Sequence, residues 1–136
     1  MGKSSKNEMK LSSGRSPKDL VAKSKLWIEN ENGEVVFGEG RSRILEAIEK
    51  HGSMNAAAQE LQMSFRAVWG KIRATERRLG QPLLLRKTRG IRGGGSELTP
   101  FARQIVERYR KLKNLTETTI DTLFEDFCAP YKSGDE

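Results

Sequence analysis

One stretch constrains this chain more than any other: SMNAAAQELQMSFRAVWGKIRATERRLG, from Ser53 to Gly80. It predicts two helices joined by a tight turn, the first from Ser53 to about Leu61 and the second from about Ser64 to Leu79. Each opens on a serine, whose hydroxyl can accept a hydrogen bond from a free backbone N–H in the first turn. The connection Leu61-Gln62-Met63-Ser64 is too short to let the helices separate. Ala56, Ala57 and Ala58 are small enough for the second helix to cross the first closely. This is the shape of a helix-turn-helix, in which the second helix enters a DNA major groove.

The second helix has two chemically different faces. At about 100° per residue, Val68, Ile72 and Leu79 fall within about 40° of one another, with Phe65 flanking them. That is the expected core face. Arg66, Gly70, Arg73 and Arg77 fall within about 60° on the opposite side. Gly70 costs about 1 kcal/mol relative to Ala in a helix interior. Two readings of it stand: close approach of the helix to a groove wall, or an exposed position under no constraint. Trp69 lies between the faces and is expected to be a core wedge.

Charge follows the same division. Lys and Arg number 25 against 18 Asp and Glu, a net charge of +7. Between residues 64 and 95 the basic residues are Arg66, Lys71, Arg73, Arg77, Arg78, Arg86, Lys87, Arg89 and Arg92, against the single acid Glu76. Residues 113–136 are acidic instead. A local cationic excess suits a polyanion, and the acidic end should stay clear of one.

The flanking segments are expected to build a small domain around this unit. Residues 1–24, rich in Lys, Ser and Gly, read as a disordered basic arm. Residues 25–37 read as a β-hairpin: Leu26 and Ile28 alternate with polar neighbours, as do Val35 and Phe37. Asn32-Gly33 suits a type I′ turn between them, which needs φ > 0 at both positions. Such a hairpin must rest on the domain's own helices or on a partner subunit. Gly40 to His51 reads as a helix with Ile44, Leu45 and Ile48 inward and Gly52 as its terminator. Pro82 to Lys87 and Glu97 to Thr99 read as paired strands. The Arg- and Gly-rich run Thr88–Ser96 between them reads as a β-wing or a surface loop. It has no Gly-Lys-Ser/Thr, so a nucleotide-binding loop is excluded. Thr99-Pro100 opens a last helix, whose apolar stripe runs from Phe101 to Phe127. To residue 128 it would be roughly 40 Å long, more than the roughly 30 Å of a ninety-residue domain. Its far end still carries Ile120, Leu123, Phe124 and Phe127, which calls for a partner, most simply a second copy. The expected division is 1–24 arm, 25–98 domain, 99–128 dimerisation helix and 129–136 acidic tail.

Other classes are disfavoured. No apolar run approaches the roughly 18 residues of a membrane span, and no export signal opens the chain. A single cysteine, Cys128, excludes an internal disulfide. With one histidine, His51, and no clustered carboxylates, neither a catalytic triad nor a zinc site can be assembled. No cofactor, metal or enzymatic activity is expected, and the expected location is cytoplasmic.

The run ILEAIEKHGSMNAAAQELQMSFRAVWGKI, followed by PLL, RGIRGGGSELTP and ARQIVERY, resembles the N-terminal DNA-binding domain of ModE-type molybdenum-responsive regulators, a winged helix-turn-helix related to the LysR type. The resemblance covers about residues 25–112. It implies a mainly α fold with small β elements, an N-terminal β-hairpin and a long C-terminal dimerisation helix. It also implies a homodimer on a palindromic operator in double-stranded DNA, and it puts the start of the recognition helix at Ser64, Phe65, Arg66, Trp69 and Gly70. Arg66 and Arg73 are expected at base edges or nearby phosphates, and Arg66 foremost at guanine. Lys71, Arg77 and Arg78 are expected on phosphates, and Arg89 and Arg92 in the wing. Ser53, Ser64, Phe65 and Gly70 complete the expected DNA-binding set. Tyr109, Leu112, Ile120, Leu123, Phe124 and Phe127 form the expected dimerisation set. The family usually has Gly where this chain has Gln62. Its full-length members continue into a molybdate-binding domain, and no residues here supply one, so molybdate sensing is not carried over from the resemblance. The alternative is a nonspecific architectural DNA-binding protein.

Overall fold

The computed structural model describes residues 19–87 and 95–133. The elements are β1 (Trp27–Glu29), β2 (Val35–Gly38), α1 (Glu39–His51), α2 (Met54–Leu61), α3 (Phe65–Leu79), β3 (Leu84–Lys87), β4 (Gly95–Leu98) and α4 (Pro100–Ser133). The chain divides into two units: residues 26–111, and the two flanking segments before and after them.

In residues 26–111 the local signals act as expected. Ser53 accepts the Ala56 N–H and Ser64 the Ala67 N–H, each at 3.0 Å, so both serines cap the helices they precede. Gly52 ends α1 at φ 75° and Gly80 ends α3 at φ 72°, each a left-handed terminator. The turn between α2 and α3 departs from the cheapest solution. Gln62 sits at φ 57°, ψ 44°, the one non-glycine residue with positive φ among the described residues. The Met63 N–H reaches the Ala58 carbonyl at 2.9 Å across it. The geometry is that of a glycine-type helix end, held here by a residue with a side chain, at a cost of roughly 1–2 kcal/mol.

The core gathers one face of every helix. Ile44, Leu45 and Ile48 of α1, Ala57 and Ala58 of α2, Val68 and Ile72 of α3, Leu83, Leu98 and Ala102 are all buried. Fully burying each of the larger side chains contributes roughly 1.5–3 kcal/mol. The two alanines leave room for the close helix crossings that the sequence predicts.

The hairpin rests on the domain's own helices. The Tyr109 hydroxyl donates to the Leu26 carbonyl at 2.8 Å, and Tyr109 meets Phe37 edge to face at 5.4 Å between ring centres. Its turn is not the expected type I′, because Asn32 does not adopt positive φ. Instead the Asn30 side-chain oxygen accepts the N–H groups of Asn32 and Glu34, and Gly33 alone is left-handed at φ 82°. A side-chain oxygen thus replaces the second left-handed residue. The register shifts between Ile28 and Glu29, and this irregularity lets Val36 and Phe37 both turn inward. Strict alternation fails there, and Trp27 and Ile28 are exposed.

β3 and β4 pair antiparallel, Leu84 opposite Leu98 through Lys87 opposite Gly95. The strand stem is pinned at the end away from α4. The Ser96 N–H donates to the Gly52 carbonyl at 2.9 Å, and a Cβ on Gly95 would lie 2.5 Å from that same oxygen. Thr99 caps α4 by accepting the Ala102 N–H, while its own hydroxyl donates to the Pro82 carbonyl.

The other unit includes residues 19–25 and 112–133. α4 runs to Ser133, past the predicted end at 128, with Pro130 inside it. Proline there removes a single backbone bond near the end of the helix, where the loss is tolerable. Thr116, Thr118, Thr119 and Thr122 each donate their hydroxyl to the carbonyl four residues back. Phe124 stacks on Phe127 at 5.7 Å, and Phe127 meets Tyr131 at 6.2 Å. Leu112, Leu115, Leu123, Phe127 and Tyr131 are exposed. No helix among the described residues is long and apolar enough to cross a membrane.

Candidate nucleic-acid interface

The caps and the αL turn set α3 across α1 and α2 with Val68 (0% exposed) and Ile72 (3%) inward. Its opposite face follows by helical period. Arg66, Gly70, Arg73 and Arg77 are all exposed and share one stripe. A Cβ on Gly70 would meet nothing within 4 Å, so the chain itself does not require glycine there.

Ion pairing of the cations varies over the surface. On the α1 and α4 surfaces three guanidiniums meet carboxylates: Arg43 with Glu39 at 3.0 Å, Arg103 with Glu49 at 3.1 Å, and Arg110 with Glu46. Lys50 and His51 both reach Glu60, whose carboxyl is held below its usual range chiefly by the His51 hydrogen bond. His51 is thus a helix-end residue paired with a carboxylate. On α3, by contrast, Arg66, Lys71 and Arg77 have no carboxylate within ion-pair distance among the described residues. Glu76, the one acid in the basic run, has a defined structural task. Its carboxylate accepts the Leu83 N–H at 2.8 Å and so fixes the exit from α3, with Arg73 3.8 Å away. The sequence signal for that task is an isolated acid in a cationic stretch.

The expected site residues are not all brought together. Arg66, Gly70, Arg73 and Arg77 share a face, with Phe65 and Ser64 at its N-terminal edge. Lys71 is exposed but lies off the stripe. Arg78 departs from the expectation of a phosphate contact. Its guanidinium donates to the Val35 carbonyl at 2.8 Å and sits 3.8 Å from Glu34, so it ties α3 to β2. Beside it Arg41 donates to the Thr75 hydroxyl at 2.7 Å. Burial, and then the neighbouring Arg78 charge, push the Arg41 guanidinium below its usual pKa. Ser53 and Ser64 use their hydroxyls as caps. Trp69 is not a core wedge: it is 37% exposed, with the Arg73 guanidinium 5.2 Å from its ring centre. Arg89 and Arg92 lie outside the described residues, as does most of the basic arm. Arg86, absent from the expected set, is exposed on the strand stem opposite Ser96.

Of the expected dimerisation residues, Leu112, Leu123 and Phe127 are exposed, while Ile120 and Phe124 are half-buried. Tyr109 is a correction. It is 3% exposed and belongs to the core against Phe37 and Leu26. Its position on the apolar stripe is right, but the stripe there faces the hairpin. Among the described residues, no group of three His, Cys, Asp or Glu side chains could hold a metal ion.

Residues 41–103 match the family model of the bacterial regulatory helix-turn-helix proteins of the LysR family. The molybdenum transport protein ModE of Azotobacter vinelandii is 40% identical over 85 residues, 62% of this chain and 32% of that one. The transcriptional regulator ModE of Haemophilus influenzae is 33% identical over 93 residues, 68% of this chain and 36% of that one. The match thus spans about a third of the length of either relative. The crystal structure of a CbnR DBD–DNA complex superposes with a TM-score of 0.50 at 28% identity, covering 64% of this chain and 94% of that one.

Proposed function

Since residues 41–103 belong to the LysR family of bacterial regulatory helix-turn-helix domains, we propose that this protein is a sequence-specific, DNA-binding transcriptional regulator that acts as a homodimer. The observation that carries this reading is the α3 face: an exposed row of arginines on the second helix of a capped helix-turn-helix, in which Arg66 and Arg77 have no carboxylate partner among the described residues. Paired cations are already neutralised, whereas unpaired ones on an exposed helix face remain available to phosphates and base edges.

In this reading α3 lies in the major groove and its N-terminal residues meet the bases. Arg66 reads guanine, where a guanidinium bonds O6 and N7 together. Arg73 reads or flanks it. Lys71 and Arg77 hold phosphates, the strand stem with Arg86 extends the grip beside the groove, and Arg89 and Arg92, between the two strands in sequence, add to it. Arg78 is a structural tether and leaves the contact set. Leu112, Leu123 and Phe127 on the exposed apolar face of α4 pair two copies, with Ile120 and Phe124 beside them, so the operator is two-fold symmetric. The protein works in the cytoplasm and is not an enzyme. The ModE relatives support the regulator class.

Selection of binding sites from random duplex DNA tests the reading. The expected product is a two-fold symmetric consensus whose half-site centres lie about 34 Å, or a multiple of that, apart. Arg66→Ala should cost about 1–3 kcal/mol on the selected site while random DNA binds nearly as before. A pool with no enriched sequence would make the protein a nonspecific architectural binder instead.

A further inference from the structure

α3 exposes two aromatic side chains beside its arginine stripe. Phe65 is 47% exposed and Trp69 37%. They stand one turn apart, and Arg73 continues the same row a turn later, its guanidinium 5.2 Å from the Trp69 ring centre. The row lies in the N-terminal half of the helix, where a recognition helix meets base edges. An aromatic ring left in water forgoes burial that Val68 and Ile72, on the same helix, obtain in full. Arg73 has two neighbours of its own, the Trp69 ring and Glu76, so the indole is braced from one side.

We propose that Phe65 and Trp69 form an apolar edge that reads the C5-methyl group of thymine in the major groove. This rests on α3 being the recognition helix. The methyl group is the one apolar feature that base pairs present in that groove, and aromatic or aliphatic side chains are its complement. Arginines beside the row read guanine, so the two chemistries together distinguish a mixed half-site: guanine against the stripe, thymine against the ridge. Duplex bases remain stacked in this arrangement, so the rings meet the groove edge of the bases and not their faces.

The test uses the full chain and the site selected from random DNA. Each thymine is replaced in turn by deoxyuridine, which removes the methyl group and nothing else. Affinity should fall about fourfold at one or two thymines in each half-site, the effect of one buried methyl group. In Phe65→Ala or Trp69→Ala the loss at that thymine should vanish, while in Arg66→Ala it should persist. The helical signal and melting temperature of each variant check folding, and affinities are compared only between folded variants. A site indifferent to uridine at every position, or a loss that survives in both aromatic variants, overturns the methyl assignment and leaves the regulator reading intact. A pool without any enriched sequence sinks both.

Discussion

Gly70 stands in open space on the arginine face, so its reason for being glycine is not inside the chain. Gly70→Ala should raise stability by about 1 kcal/mol, read as a melting temperature several degrees higher. If the groove wall approaches there, the same variant should bind the selected site more weakly; a stabler protein with unchanged affinity would remove Gly70 from the interface. Arg78 makes the opposite case. Arg78→Ala should lower stability by about 1 kcal/mol through the lost bond to the Val35 carbonyl and leave the salt dependence of DNA binding unchanged. A slope reduced by about one unit would restore it as a phosphate contact. Residue identity and helical period were enough to place Arg66, Arg73 and Arg77 on one face. They could not separate Arg78 from them, because its partner is a main-chain carbonyl more than forty residues earlier, and a backbone oxygen leaves no mark in composition. Trp69 misleads for a related reason. A large ring on the border of two faces goes inward or outward according to its tertiary surroundings, which periodicity does not encode.

At the scale of elements the punctuation was legible. Serine caps, glycine ends and the Thr-Pro start of α4 each act through neighbours within four residues, so spacing alone discloses them. The junction between strand stem and helix was not, since it joins residues 43 positions apart: the Gly95 position lies against the Gly52 carbonyl, which accepts the Ser96 N–H. Gly95→Ala forces a methyl group to within 2.5 Å of that oxygen unless the backbone moves. The expected result is a stability loss of about 1–3 kcal/mol, read as a lower urea midpoint. DNA binding should weaken further than the stability loss alone accounts for, because the same shift tilts β4. An unchanged midpoint would mean that the stem is free to slide. The hairpin turn shows the converse limit. Asn-Gly signalled a tight turn correctly, yet Asn30 supplies a side-chain oxygen that stabilises a different one.

For the whole molecule the decisive segment is the far half of α4. Leu123→Glu with Phe127→Glu should convert a dimer into a monomer in sedimentation, and should lower affinity for a two-fold site far more than for a single half-site. A variant that still sediments as a dimer would move the pairing surface elsewhere. The four threonines with hydroxyls turned back onto the helix carry a further consequence. Threonine is a poor helix former, at up to roughly 0.7 kcal/mol each relative to Ala, and its back-bonding weakens helices slightly. A stretch with that composition and with Leu115 and Leu123 in water has little to hold it helical alone. Pairing and coiling then become a single equilibrium: diluting the protein should dissolve this part of the helix together with the dimer, and the far-ultraviolet signal should fall along the same concentration curve as the mass. The concentration of the regulator would thereby set the order of its own chain.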